Sequence, residues 1–180
     1  MHNKIGTDIR TAKNLVRIHE TVKLDAVSFE LNTKTYQPLL DKISSGLKKT
    51  HFNFPFSMAI GYAARNKVPI IATDCLEYPE YPQIVEIERE IESKYKPMLE
   101  SKKPVDQSIL NDFDKLLSKY YKLHYGFTRK RDKYVATALD DYIQNNAVNN
   151  MVHICGAKHI PNLKVLLNKE LKYEVVSKEV

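Results

Sequence analysis

The 180-residue sequence contains no apolar run approaching the ~18 residues that a bilayer-spanning helix needs, and no charged-then-apolar leader opens it. A membrane-spanning helix is therefore excluded and a cytoplasmic protein is the expectation. Cysteine is scarce: Cys75 and Cys155 stand far from any C-x-x-C spacing, so they read as small buried hydrophobes rather than a disulfide or a metal pair. There is no internal repeat and no low-complexity tract. The net charge of +6 permits an anionic partner. However, the basic clusters Lys48-Lys49, Lys102-Lys103 and Arg129-Lys130-Arg131 are short, scattered and without interleaved aromatics, so nucleic acid is not expected as a partner.

What is present suffices for one domain with a sizeable core, since 43% of the residues are hydrophobic. Residues 8 to 23 carry apolar side chains at three- and four-residue spacings and predict an amphipathic helix. Ala26 to Leu31 is rich in strand formers, and a second helix is predicted over Tyr36 to Lys49, with Pro38 in its first turn. An aromatic loop, His51 to Phe56, precedes a small-residue helix over Ser57 to Asn66 and a strand over Val68 to Thr73. Strand, helix, helix, strand in that order places the strands in parallel, joined by right-handed crossovers.

Residues 79 to 125 change character. A charged helix over Gln83 to Tyr95, a linker over Lys96 to Pro104 and a Tyr-rich helix over Asp106 to Tyr125 read as a helical cap or insertion. Its run Glu86, Glu88, Glu90 and Glu92 reads as a solvated face, and Tyr120, Tyr121 and Tyr125 as side chains that pack the cap on the body. Gly126 is expected to end that helix and Thr128 to cap the next, which runs to about Asn146. A strand from Met151, a helix over Asn162 to Leu171 and a short strand over Tyr173 to Val176 complete the chain. The fold class is α/β: a mostly parallel central sheet with flanking helices, a single domain over 1–180 with a helical insertion at about 79–125.

The chemistry gathers at strand ends. Met151 to Ile154 is a short apolar strand, Gly156 permits a sharp exit, and His159 follows just before Pro161. Glu30 and Asp74 close the other two strands. In a parallel sheet all three groups emerge on one edge, where ligands collect in open α/β folds. Asp74 reads equally well as a helix cap, whereas Glu30, flanked by apolar residues, needs a cation, a metal or a donor to stay ionised. Extending the stripe Val135, Ala138, Leu139 and Tyr142 back one turn points the Arg131 guanidinium at the core. Three cations at a helix N-terminus oppose the macrodipole and call for compensation by Asp132, Glu30 or an anionic substrate. An Arg-carboxylate pair of purely structural role fits the same residues. His19, His51, His124 and His153 have no matching context.

Taken together, Gly156-Ala157-Lys158-His159 after an apolar strand, Thr128-Arg129-Lys130-Arg131-Asp132 in a late helix and Ala26 to Leu31 with its glutamate resemble the TraB/PrgY–Tiki family, related to the EreA/ChaN group. The resemblance spans most of the chain except its middle helical region. It implies two Gly-x-x-His motifs, a strand-closing glutamate and an Arg-Asp pair. His159 matches the second motif, Glu30 the glutamate, and Arg131 with Asp132 the pair. For the first motif the candidate is His2, without the glycine and strand that would precede it; Gly6-Thr7 resembles the start of that motif, but Ile9 stands where a histidine is required. The family implies a metal-dependent hydrolase, peptidase-like, with a divalent ion (Mn²⁺, Co²⁺ or Zn²⁺) held by His2, Glu30 and His159 and a peptide or small-molecule substrate. Arg131 would then stabilise a developing oxyanion or hold a substrate carboxylate. A non-catalytic binding or regulatory protein of the same fold is the alternative. An unpaired sheet edge also leaves room for a homo-oligomer.

Overall fold

Strand β1 (Ala26–Asn32) is the most deeply buried element, and the sheet is built outward from it. A computed structural model describes residues 3–46, 56–75, 78–101 and 103–177, with the side chains of 3–7 left outside that description. The chain divides into two compact units, Met1–Cys75 with Asp132–Val180, and Leu76–Arg131.

The first unit is α/β. Strand β2 (Ile70–Asp74) and strand β3 (Met151–Ile154) flank β1 on either side, both parallel to it, in the order β2-β1-β3. The carboxyl ends of all three strands therefore lie on one edge, as expected. Because side chains alternate across a strand, Val27, Phe29 and Leu31 face one side of the sheet. There they join Ile70 and Ala72 in a core with Leu15 of helix α1 (Asn3–Thr21), Leu40 and Ile43 of α2 (Thr33–Ser44), and Ala59, Ile60 and Ala63 of α3 (Ser57–Arg65). Phe29 is fully buried, which contributes about 1.5–3 kcal/mol relative to exposure. A second, smaller core joins Val135, Ala136 and Leu139 of helix α6 (Gln107–Asn146) to Leu163 of α7 (Ile160–Val165).

Helix α2 begins earlier than expected. Asn32 caps it by accepting the Thr35 N–H at 2.8 Å, so Pro38 falls inside the helix instead of in its first turn. From α2 the Gln37 amide reaches the outer edge of β2: it accepts the Ala72 N–H at 2.8 Å and donates to the Ile70 carbonyl at 3.3 Å. That edge is thereby closed to a further strand.

The second unit is helical. Helix α4 (Tyr81–Glu90) continues through a π-helical turn, Ile91–Tyr95, into α5 (Lys96–Glu100), where a linker was expected. The widened turn ends two residues before Pro97, which has no N–H to return to the preceding turn. The acidic run is solvated as predicted, with Glu90 and Glu92 paired to Lys94 and Lys96 at i+4. Tyr120 donates to Glu88 at 2.9 Å, and burial pushes its phenol up to about 12. Tyr121 and Tyr125 are each 64% exposed and do not pack as anticipated.

Gly126 does not end a helix. Helix α6 runs 40 residues from Gln107 to Asn146, with residues 107–131 in the second unit and the remainder in the first. A mid-helix glycine costs only about 1 kcal/mol relative to alanine. Next to it, Phe127 is buried against the rings of Tyr78 and Tyr81, and Thr128 Oγ1 lies 3.4 Å from His124 Nδ1 instead of capping a new helix. Arg129, Lys130 and Arg131 consequently sit mid-helix, far from any N-terminus, and the macrodipole conflict expected of them does not arise. Residues Tyr173 to Val176 form no strand either: the Tyr173 hydroxyl donates to Asp140 at 2.5 Å, its amide donates to the Leu167 carbonyl, and Val176 is exposed. No described helix is long and apolar enough to cross a membrane.

Candidate functional site

On the face of β1 opposite the main core stand Ala26, Ser28 and Glu30, so two of three inward positions are polar. Parallel pairing sets Ser28 beside His153 of β3. A break in the β1–β2 register between Phe29 and Asn32 gives β1 one extra residue in the stretch that holds Glu30, the kind of irregularity that re-aims a side chain.

Beyond β3 the chain turns at Gly156 into a 3₁₀ turn, Ala157–His159, held by the His159 N–H on the Gly156 carbonyl at 3.0 Å. Pro161 sits in the first turn of α7, as the sequence predicts. This turn swings His159 back over the sheet, where its side chain is only 3% exposed.

Asp132, 1% exposed on α6, meets it there. Its Oδ1 lies 2.5 Å from His159 Nδ1, and its Oδ2 accepts the Asn162 side-chain amide at 2.9 Å. A buried carboxylate in this position requires a donor on Nδ1, so the Nδ1 atom carries hydrogen and the tautomer is set. On the other side of the ring, His159 Nε2 is 3.2 Å from Glu30 Oε1. That contact lacks hydrogen-bond geometry, and Nε2 is sealed from solvent without a hydrogen-bond partner. Glu30 Oε2 accepts the Gly156 amide N–H at 2.7 Å, which ties the carboxylate to the strand exit. The result is a line, Asn162–Asp132–His159–Glu30–Gly156, buried at Asp132 and His159 and reaching solvent at Gly156, with every carboxylate oxygen in it placed against a nitrogen.

His153 borders this line. Its Nδ1 lies 2.9 Å from Ser28 Oγ, and its Nε2 is closed to solvent and without a partner, although the residue as a whole is only half-buried. Burial pushes the imidazole down to about 4, helped by the nearby charge of His159 and opposed by Asp132. His153 is thus a neutral histidine at neutral pH.

Of the residues selected from sequence, Glu30, Asp132 and His159 come together. Asp74 ends β2 at the same edge, 2% exposed, its Oδ1 accepting the Cys75 N–H at 2.8 Å and its carbonyl the Thr33 hydroxyl at 3.0 Å. Arg131 is half-buried and belongs to the second unit. The inward residue of this turn is Asp132, in phase with Val135, Ala136 and Leu139 at i+3, i+4 and i+7, so the stripe reaches back three residues from Val135 and not four. His2 lies outside the described residues. Ser28, His153 and Asn162 were not selected from sequence; the signal for the first two was the period-2 alternation that puts Ser28 on the face of Glu30.

The donor set fits a divalent ion in part. Nitrogen and carboxylate oxygen each ~2.0–2.2 Å from a tetrahedral zinc lie ~3.3 Å apart, close to the separation of His159 Nε2 and Glu30 Oε1. The Asp132 carboxylate behind the imidazole is the outer partner that ligating histidines usually have. Among the described residues, however, no group of three His, Cys, Asp or Glu side chains is placed to hold a metal ion. Fold and site together define an α/β unit with a buried Asp-His-Glu line at the carboxyl edge of a parallel sheet. No family model, curated protein or solved structure matches the chain.

Proposed function

We propose that the chain is a hydrolase of the TraB/Tiki type, adding water to a peptide or small ester carbonyl, with His159 and Glu30 as the protein ligands of a divalent ion and His2 as the candidate third. One observation carries the reading: His159 Nε2 and Glu30 Oε1 face each other at 3.2 Å, buried, without hydrogen-bond geometry. With the Nδ1 proton held by Asp132, the Nε2 lone pair and this carboxylate oxygen form the kind of nitrogen–oxygen pair that a divalent ion takes up.

Each protein group then has a task. Asp132 retains the proton on Nδ1 and so keeps the Nε2 lone pair available. The Gly156 amide restrains one Glu30 oxygen while the other remains directed at His159. Asn162 orients Asp132. The ion, when bound, would supply Lewis acidity and a water made acidic enough to attack near neutral pH.

A second reading, a non-catalytic binding or regulatory module of the same fold, is favoured by the lack of a third ligand among the described residues. Calorimetric titration of Mn²⁺, Co²⁺ and Zn²⁺ into the wild type and into Glu30→Gln separates the metal question from the catalytic one. Binding by the wild type at ion concentrations 100-fold above Kd should stabilise it by about 2.7 kcal/mol, with the gain lost in Glu30→Gln. Equal titrations in the two proteins remove the ion from this pair. Turnover of fluorogenic peptides or p-nitrophenyl esters by the wild type, absent in Glu30→Gln, eliminates the non-catalytic reading.

A further inference from the structure

The continuity of α6 changes the meaning of the basic residues in the second unit. Residues 115–131 contain six basic side chains (Lys115, Lys119, Lys122, Arg129, Lys130, Arg131) and no acidic one, a charge equal to the +6 of the entire chain. In sequence they look scattered. On one uninterrupted helix a seven-residue step returns to within about 20° of the same face, so Lys115, Lys122 and Arg129 form a line about 21 Å long.

Tyr125 lies one turn from both Lys122 and Arg129, about 40–60° round the helix from them, and Tyr121 lies one turn before Tyr125 on the same flank, both rings 64% exposed. Arg129 lies over the Tyr125 ring at 5.8 Å from its centre. Lys119, Lys122 and Arg129 are exposed, and among the described residues none of the three meets an acidic partner; Lys115 has only the exposed pair with Asp112. The aliphatic residues of this stretch, Leu116, Leu117 and Leu123, are half-buried and lie off the line. A helix that inserts into a membrane surface would present such residues outward beside its cations. Here the apolar surface on offer is aromatic, the pairing that suits a chain of phosphates carrying flat bases.

We propose that the α6 face formed by Lys115, Lys122, Arg129, Tyr121 and Tyr125 binds single-stranded nucleic acid, with the cations on phosphates and the tyrosines stacked on bases. The face shares no residue with the Asp-His-Glu line, and the proposal stands independently of the hydrolase reading.

The test is fluorescence anisotropy with labelled (dT)20 and (U)20 oligonucleotides on the full chain. Both should bind at 50 mM salt, and the logarithm of affinity should fall with the logarithm of salt with a slope of about −2, from three cations at ~0.7 each. Lys122→Gln/Arg129→Gln should reduce the slope to about −0.7. Tyr121→Ala/Tyr125→Ala should weaken binding about tenfold or more with the slope kept. All four positions are solvent-exposed, so melting temperatures should not change, and the control pair Lys13→Gln/Lys164→Gln, equal in charge lost, should bind as the wild type does. Absence of binding at 50 mM salt overturns the proposal, as does equal weakening in the control pair. Binding to phosphatidylserine vesicles without binding to either oligonucleotide overturns it in favour of a membrane surface.

Discussion

His153 offers the sharpest test of how the polar face of the sheet is built. Its imidazole is pushed from the ordinary 6.5 down to about 4, first by burial and then by the charge of His159. A histidine depressed in this way is neutral in the folded protein while the unfolded chain still takes a proton, so between these two values unfolding absorbs protons. Stability from this group is therefore complete above about pH 6.5 and is lost as the pH falls toward 4. With those two pKa values the loss is about 2 kcal/mol at pH 5 and about 3 kcal/mol at pH 4, a large share of the ~5–15 kcal/mol typical of a domain.

Carboxylates also titrate in this range, so the measurement must isolate the histidine. Urea unfolding at pH 7, 5 and 4 is compared between the wild type and His153→Leu, which keeps an apolar side chain of similar size beside Ser28. The leucine variant should be closer to the wild type, or more stable than it, at pH 4 than at pH 7, with the difference between the two proteins moving by about 3 kcal/mol. Titration of the His153 imidazole by NMR should show a midpoint near 4. Parallel pH profiles for the two proteins, or a midpoint near 6.5, would refute the claim that His153 is buried neutral.

The other expectations concern α6 and the Asp132–His159 pair. Gly126→Ala should stabilise the protein by about 1 kcal/mol in thermal unfolding, because a Cβ there meets nothing within 4 Å and the helix gains a better former; destabilisation would mean that the glycine serves a contact after all. His159→Ala leaves the Asp132 carboxylate, 1% exposed, without the Nδ1–H donor and should cost about 3–5 kcal/mol. Asp132→Asn/His159→Ala should recover part of that loss, since it removes the buried charge; an additive pair of effects in urea unfolding would count against the coupling.

Much of the fold is legible in the residues. Ala26 to Leu31 predicts β1 within one residue, and Gly156 with Pro161 predicts the turn that delivers His159. The misreadings share a cause: local signals were overruled by contacts distant in sequence. Gly126 looks like a helix end, yet Phe127 is anchored one residue on by Tyr78 and Tyr81, about 50 positions earlier. Tyr173 to Val176 has strand composition, but the Tyr173 hydroxyl is taken by Asp140 of α6.

The site shows the same division between local and distant information. Period 3.6 admits either Arg131 or Asp132 as the inward residue before Val135, and charge alone favours the cation opposite Glu30. The deciding partner is His159, 27 residues later, whose Nδ1–H is a donor and so selects the carboxylate. His153 had no context while strands were read singly, because its neighbour Ser28 is 125 residues away and becomes adjacent only through the β1–β3 register. What the register adds is a reason for the arrangement. A neutral imidazole at His153 leaves Asp132 to His159 and Asn162, whereas a protonated one beside the line would compete for that carboxylate.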